Sequence, residues 1–594
     1  MVLADFGADV VRIESPDRDP MASSPAYLLL QRGKKSITLD LTSADGQAEL
    51  RRLAVGVDVL VDDGRPETDH TALKPALVRC SITGFGTTGP LADAPADDSL
   101  VMARAGIFRD QPGWERDGRR PIFRSCPDGT YFAGMLAVQG ILAALRGRDL
   151  TGRGQQVDVN MLAAITCRQN PQVRWLLRKD EELPADRSAS TESVPDAINP
   201  LAHHRDPREV TLTGMLVRCK DGRWIMHSLS EPHFFPAWIE AVGFSWIWDD
   251  ERFEGAPWRF PDDDAKVELV ERLQARMKEK TSAEWIEVYL ANGNVCAEVI
   301  QTTQDALRHP QVEATDLVIE FEDPRVGPMR QIGPLAKIPT APAAVITPAP
   351  DPGTHTDEVL GGVVTPVTPP TATHDQLAGP LEGITIIEAA YYYATPFATA
   401  LLAELGARVI KIEPVKGDPY RLLGRGEGDP VTALGHNNMV RAMQGKESIA
   451  IDLKNERGRE ILRRLVADAD VFVHSFRGRV PEALGIDAAT LRSMNPRIVY
   501  HYAASYGSAG PHAGQPAIDP VIAAFAGQTA HQTGEGNPPL RESGADPVAA
   551  AGHAAALMMG LFAQHRTGEA QDVESAMIVS NLLLNVGLRP RESS

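Results

Sequence analysis

The sequence predicts an α/β protein: a Rossmann-like parallel-sheet large domain plus a smaller α+β domain, with the large unit duplicated in tandem. Three observations predict it. The first is self-similarity. "VLADFGADVVRIES" (Val2–Ser15) reappears as "LLAELGARVIKIEP" (Leu401–Pro414), pairing Gly7 with Gly406, Ala8 with Ala407 and Glu14 with Glu413 at one constant offset. The second is that the match continues in order. "QRGKKSITLDL" answers "MQGKESIAIDL", and "LRRLAVGVDVLV" answers "LRRLVADADVFV" with Asp58 against Asp470. "SITGFGTTGP" answers Tyr502–Pro511, and "GILAALRGRDLTGRGQQVDVNM" answers "GLFAQHRTGEAQDVESAM" with Gly140 against Gly560. Offsets drift only by loop-sized steps, which marks duplication of a large unit and not a solenoid of short repeats. The third is strand–helix alternation, the pattern of parallel sheets.

The elements come in order along the chain. The first copy, residues 1–200, opens inside the repeat and is expected to lack the leading strand. Residues 201–345 differ: "GMLVRCKDGRWIMHSL" reads as a hairpin around Asp221-Gly222, and "DAKVELVERLQARMKEKTSAEWIEVYLA" is helical, giving the smaller α+β domain. Residues 346–380 are rich in Pro and Thr and read as a linker. The second copy, residues 381–594, starts with "GITIIEAA", an apolar strand, then a helical stretch stopped at Gly406, then the buried strand "ARVIKIEP". "SIAIDL", "DVFVHSF" and "RIVYHYAA" are further strands. This copy is expected to lack the C-terminal part.

Composition narrows the function. The chain has 594 residues, more than one ordinary core holds, and a net charge of -19, which argues against nucleic acid as a partner. Five widely spaced cysteines suit a reduced, cytoplasmic setting and no metal site. No run of 18 apolar residues suggests a membrane span. Basic and polar groups at strand ends are candidates for an anionic ligand, since open α/β sheets bind beyond the carboxyl ends of their strands. They are Lys446 in "QGKESI", Arg421 in "GDPYR", and Ser475, Phe476 and Arg477 after "DVFVH".

"LLAELGARVIKIEPVKGDPYR", "GKESIAIDL", the Tyr502–Pro511 stretch and "HRTGEAQDVESAM" together resemble the class III CoA-transferase family, over nearly the whole chain and in the manner of its tandem-fused members. The resemblance implies acyl-CoA and small carboxylic acids as substrates. CoA would move between them through an aspartyl anhydride and an enzyme thioester. It also implies a homodimer or, in a fused chain, an intramolecular pseudo-dimer. The aspartate it implies is Asp546, before Pro547; read from the residues alone, Asp-Pro there is equally a helix cap. In the first copy the aligned position is Thr130, and Asp128, two residues earlier, is the second choice. The family's α-methylacyl-CoA racemase branch is the alternative, and needs a histidine where this chain has Ile518 and Asp97; a CoA-binding chain without activity is the other. His512 and His553 are the nearby histidines.

Overall fold

The computed structural model describes residues 1–17, 24–64, 74–108, 123–168, 207–344, 346–422, 437–534 and 536–585. The boundary between the first copy and the small domain, near residue 200, lies outside them.

The first copy contributes five short strands: β1 (Val10–Glu14), β2 (Lys34–Thr38), β3 (Val59–Asp62), β4 (Val78–Thr83) and β5 (Gln156–Asn160). All pair in parallel, yet they form two separate sheets, β1-β2 and β3-β4-β5. Two helices of this copy bear on the site: α1 (Asp98–Arg104) and the long, buried α2 (Asp128–Thr151).

The small domain has an antiparallel sheet of β6 (Leu216–Arg218), β7 (Trp224–His227) and β8 (Ala297–Val299). Behind it lie α3 (Asp263–Met277) and α4 (Ser282–Asn292), whose Thr281 and Glu284 form a reciprocal capping box. A hairpin of β9 (Val318–Asp323) and β10 (Gly327–Ile332) comes next, then β11 (Ala336–Lys337). Trp238, Trp285 and Leu269 fill its own core.

The second copy builds one continuous sheet. Its strands are β12 (Thr385–Ala389), β13 (Arg408–Glu413), β14 (Lys446–Ala450), β15 (Val471–His474), β16 (Val499–Ala504) and β17 (Gln571–Ala576). Their spatial order is β14-β13-β12-β15-β16-β17, all parallel, with β11 of the small domain added antiparallel against β17. This is the doubly wound order, and it reverses direction between β12 and β15. The helices that bear on the site are α5 (Ala394–Glu404), α6 (Glu456–Ala467), α7 (Asp519–Phe525), α8 (Ala545–Thr567) and α9 (Met577–Leu584). Strand β12 is apolar apart from Thr385 and Glu388 and lies between β13 and β15; among the described residues of the first copy no strand stands between β1-β2 and β3-β4-β5.

The two copies share one core. Helices α2 and α8 lie against each other, with Tyr131 Oη donating to the Val548 carbonyl (3.1 Å) and Gln139 Nε2 to that of Ala551 (3.1 Å). Both helices are long and apolar enough to cross a membrane by length and composition, and their apolar stretches are instead 78% and 89% buried inside the fold. The small domain, which comes after the first copy in sequence, packs on the second: Gln301 N–H meets the Ala524 carbonyl, and Gln311 bonds the Tyr506 and Ala509 carbonyls. Residues 346–380 run back along the first copy as a strap. His355 N–H donates to the Ser36 carbonyl (2.8 Å), Thr38 N–H to Thr356 Oγ1 (3.0 Å), and Thr373 N–H to the Leu150 carbonyl (2.8 Å).

The pairing of the copies differs from the sequence reading in one place. Helices α2 and α8 end at left-handed Gly152 and Gly568, and β5 and β17 then run in step to Met161 and Met577. Counting back from these glycines sets Thr130 opposite Asp546 and Gly140 opposite Ala556, not Gly560. An alanine- and glycine-rich helix carries little register information, and its helix stop carries more.

Candidate active site

The start of α8 is the most informative place in the molecule. Gly544, at the helix N-cap with φ 134°, has no side chain to cap with. The free N–H groups that every helix start leaves are met from outside: Asp519, first residue of α7, accepts from Gly544 N–H (2.8 and 3.0 Å) and from Asp546 N–H (2.9 Å). Asp546 is therefore not the cap of its own helix. Its carboxyl accepts no hydrogen bond among the described residues and is partly open to solvent. Burial, and then the charge of Asp519, hold the Asp546 carboxyl well above the usual carboxylate range. Burial also raises Asp519, against the pull of the N–H groups it accepts. Tyr393, buried after β12, lies within electrostatic reach of Asp546.

The first copy repeats this cap with a different occupant. Asp98 accepts from Gly129 N–H (2.7 Å) and Thr130 N–H (2.9 Å), and the Thr130 hydroxyl also bonds it. Asp128, the second-choice acid, is elsewhere: it is fully buried and ion-paired to Arg124 and to Arg168 Nε (2.9 Å), both of which also hold Glu542 of the second copy. Two guanidinium groups enclose that carboxylate, so it serves the junction between copies.

The anion candidates fare differently from their sequence reading. Lys446 is buried, its ammonium 2.6 Å from Glu388 Oε2, and burial lowers it to about 8. Glu388 also binds Lys411 (2.7 Å), which reaches Asp418 (3.0 Å). Burial pushes Glu388 upward, but the two ammonium groups prevail and hold it at about 2. Arg421 is bound to both oxygens of Glu413, and Arg477 to the Gly293 and Gly514 carbonyls and Asn294 Oδ1. Lys446 and Arg421 are neutralised by strand acids, whereas Arg477 is held by neutral oxygens of the small domain and of Gly514. Ser475 is exposed and Phe476 half-buried at the end of β15.

Sequence reasoning missed the residues that face Phe476 across the point where the sheet order reverses. After β12, Tyr391 meets Phe476 edge-on at 5.3 Å, and Tyr392 adopts φ 66°, one of two non-glycine residues with positive φ among those described. Strain of this kind gathers at functional sites. The signal was the run "YYY" directly after a strand at the point where the sheet order reverses.

The remaining histidines have structural places. His553 and His501 share Ser575 Oγ (2.6 and 2.7 Å) in the core, and burial pushes His553 down to about 3. His512 lies 3.3 Å from Glu298, and with His309 the three offer donor atoms within 4.8 Å of one another. A cation there would need a lone pair from each. Gln311 N–H already donates to His309 Nδ1 (3.1 Å), which leaves the neutral ring's proton on Nε2. The trio reads as a carboxylate bridging the small domain and the second copy.

The sequence model of "CoA-transferase family III" matches residues 1–356 and 381–586. The chain is 27% identical over 562 residues to the "CoA-transferase/lyase DddD" of Marinomonas sp. (strain MWYL1), which covers 86% of this chain and 64% of that protein, so it spans less than two thirds of that relative's length. It is 32% identical over 389 residues to the human "Succinyl-CoA:glutarate CoA-transferase", covering 61% of this chain and 82% of that one. Among solved structures, a "CAIB/BAIF family protein from Brucella suis" superposes with a TM-score of 0.47 at 24% identity, covering 61% of this chain and 93% of the other.

Proposed function

We propose that this chain, which belongs to CoA-transferase family III, uses its second copy to move CoA from an acyl-CoA donor to a carboxylic acid, with Asp546 as the nucleophile. The observation that supports this reading is a carboxyl at a helix start that neither caps the helix nor pairs with a cation. Burial and a neighbouring acid make it more basic, and so a better nucleophile once ionised. Asp546 attacks the thioester carbonyl and CoA thiolate leaves, giving a mixed anhydride. The thiolate then attacks the aspartyl carbonyl, and the donor acid departs. The acceptor carboxylate reverses these two steps, regenerating Asp546 and a new acyl-CoA. Holding the partners in place supplies roughly 7–11 kcal/mol of such a barrier.

CoA would bind beyond the carboxyl ends of β12 and β15, where Tyr391, Ser475 and Phe476 stand. Lys446, Arg421 and Arg477 shape the surroundings through their partners. No histidine bonds Asp546 among the described residues, which disfavours racemisation by a His–Asp pair. The reading is tested by incubating wild-type protein with succinyl-CoA or acetyl-CoA and a set of isotope-labelled carboxylic acids, with products read by mass spectrometry. Hydroxylamine should convert Asp546 to its hydroxamate during turnover. Transfer that survives in Asp546→Asn would overturn the assignment.

A further inference from the structure

An acid in the first turn of a helix ordinarily folds back onto the free N–H groups there, and is stabilised as the anion by them. In α8 those groups are already engaged by a side chain from α7. We propose that Asp519 is the positioning residue for Asp546: by occupying the N–H groups at the start of α8 it keeps the Asp546 carboxyl from capping its own helix, and so leaves both oxygens free for an incoming carbonyl. The inference rests on Asp546 being the nucleophile.

The first copy supplies the contrast. Asp98 engages the equivalent N–H groups and also captures the Thr130 hydroxyl, so the side chain there is folded onto the cap. A hydroxyl can donate to the capping carboxylate; a second carboxylate is repelled by it. The same capping acid therefore draws Thr130 in and turns Asp546 outward. Among the described residues, the ionisable groups within electrostatic reach of the pair are Arg168, from the first copy, and Arg541 for Asp519, and Tyr393 for Asp546. Arg168 and Arg541 stand on the Asp519 side, which leaves Asp519 as the acidic neighbour that raises Asp546.

The test reads Asp546 directly and needs no substrate. Coupling of isotope-labelled glycine ethyl ester by a water-soluble carbodiimide, which requires the protonated acid, is followed at the Asp546 peptide by mass spectrometry across pH. Asp519→Asn is isosteric and keeps an oxygen for the N–H groups but removes the charge; the midpoint of labelling should fall by about one pH unit or more. Asp519→Ala also frees the N–H groups, so Asp546 can cap the helix and the midpoint should fall further. An unmoved midpoint in Asp519→Asn, or an alanine variant that folds and matches the asparagine variant, overturns the proposal. The two readings fail separately. Transfer surviving in Asp546→Asn removes the nucleophile and leaves the midpoints as they are, whereas an unmoved midpoint with a transfer-dead Asp546→Asn removes only the positioning role.

Discussion

Helices α2 and α8 start in the same way and end in different chemistry. Each receives an acid from the start of an earlier helix, Asp98 or Asp519, onto two N–H groups at its own start. One then carries Thr130 and the other Asp546. A cap of this kind stabilises a helix by about 1 kcal/mol whichever residue stands beside it, so the frame of the site outlasts the acid that would react in it. The contrast breaks most sharply at Asp546. Asp546→Asn should lower transfer by about 10³-fold or more, while Thr130→Val should leave it unchanged. Stability should move the other way. Because the folded-state value of Asp546 is raised, ionising it disfavours the fold at every pH above its ordinary value, and the asparagine should gain about 0.5–2 kcal/mol at neutral pH. Urea unfolding of the two variants beside wild type measures this; an Asp546→Asn protein less stable than wild type would show that the carboxyl is held by an attractive contact.

The sheets differ for a reason that charge makes visible. In the second copy Glu388 of β12 sits between Lys411 and Lys446, all three buried. Among the described residues of the first copy no strand joins its two sheets, and the residues aligned with those lysines find other partners: Arg12 lies against Glu14 (3.1 Å) and Lys34 donates to Gln31 (2.9 Å). Glu388→Gln would leave the buried Lys446 without a counter-charge and Lys411 with Asp418 alone, and should cost about 3–5 kcal/mol; Gln31→Ala in the first copy should cost far less. The sign with pH comes from the folded-state value of about 2 against an ordinary 4.5. The stabilisation by Glu388 is complete above the ordinary value and is lost as pH falls toward 2, so wild type should lose stability through that window and Glu388→Gln should show no such step. Chemical unfolding from neutral to acid pH separates the two.

Much of this was legible in the chain. The strands of the second copy and their parallel class can be read from apolar runs spaced by helices, and the duplication is written in the matched stretches. The candidate acid was reachable only by resemblance, since Asp-Pro before an alanine-rich helix reads equally well as a cap; what decides is Asp519, which sits in "AIDP" with nothing to mark its reach across to α8. Lys446 and Arg421 looked available because a cation at a strand end reads the same whether it meets solvent or an acid. One signal was in view: Glu388 lies inside "ITIIEAA", and an acid within an apolar strand requires a buried partner. The fate of Asp128 could not be read, because Arg124, Arg168 and Glu542 come from three separate stretches that only the packing of the copies brings together.

Gly544 sharpens the comparison at the backbone. Its φ of 134° disfavours any side chain, and a Cβ there would overlap Arg168 Nη1, the first copy's contact with this turn. Gly544→Ala should cost about 1–3 kcal/mol and shift the Asp546 turn, lowering transfer as well. Gly129, its neighbour in the other cap, has no positive φ, and a Cβ would stand 3.0 Å from Asp98 Oδ1. Gly129→Ala should cost less and leave transfer intact. Equal losses of activity would mean that the two caps are coupled through Arg168.

The smallest effect concerns β2 of the first copy, the counterpart of the edge strand β14. Its outer edge is covered by the strap, which places His355 N–H on the Ser36 carbonyl and Thr356 Oγ1 on Thr38 N–H. Thr356→Ala removes one of them, at about 0.5–1.5 kcal/mol. Hydrogen exchange at Thr38 should quicken by up to about tenfold, with no change at Ala450, the aligned residue of β14. If Ala450 quickens equally, the strap stabilises the whole chain and not this sheet. If neither changes, β2 is held by β1 and the shared core alone, and the linker only connects. A change confined to Thr38 would mean that the segment joining the two copies also protects the outer edge of the first copy's sheet.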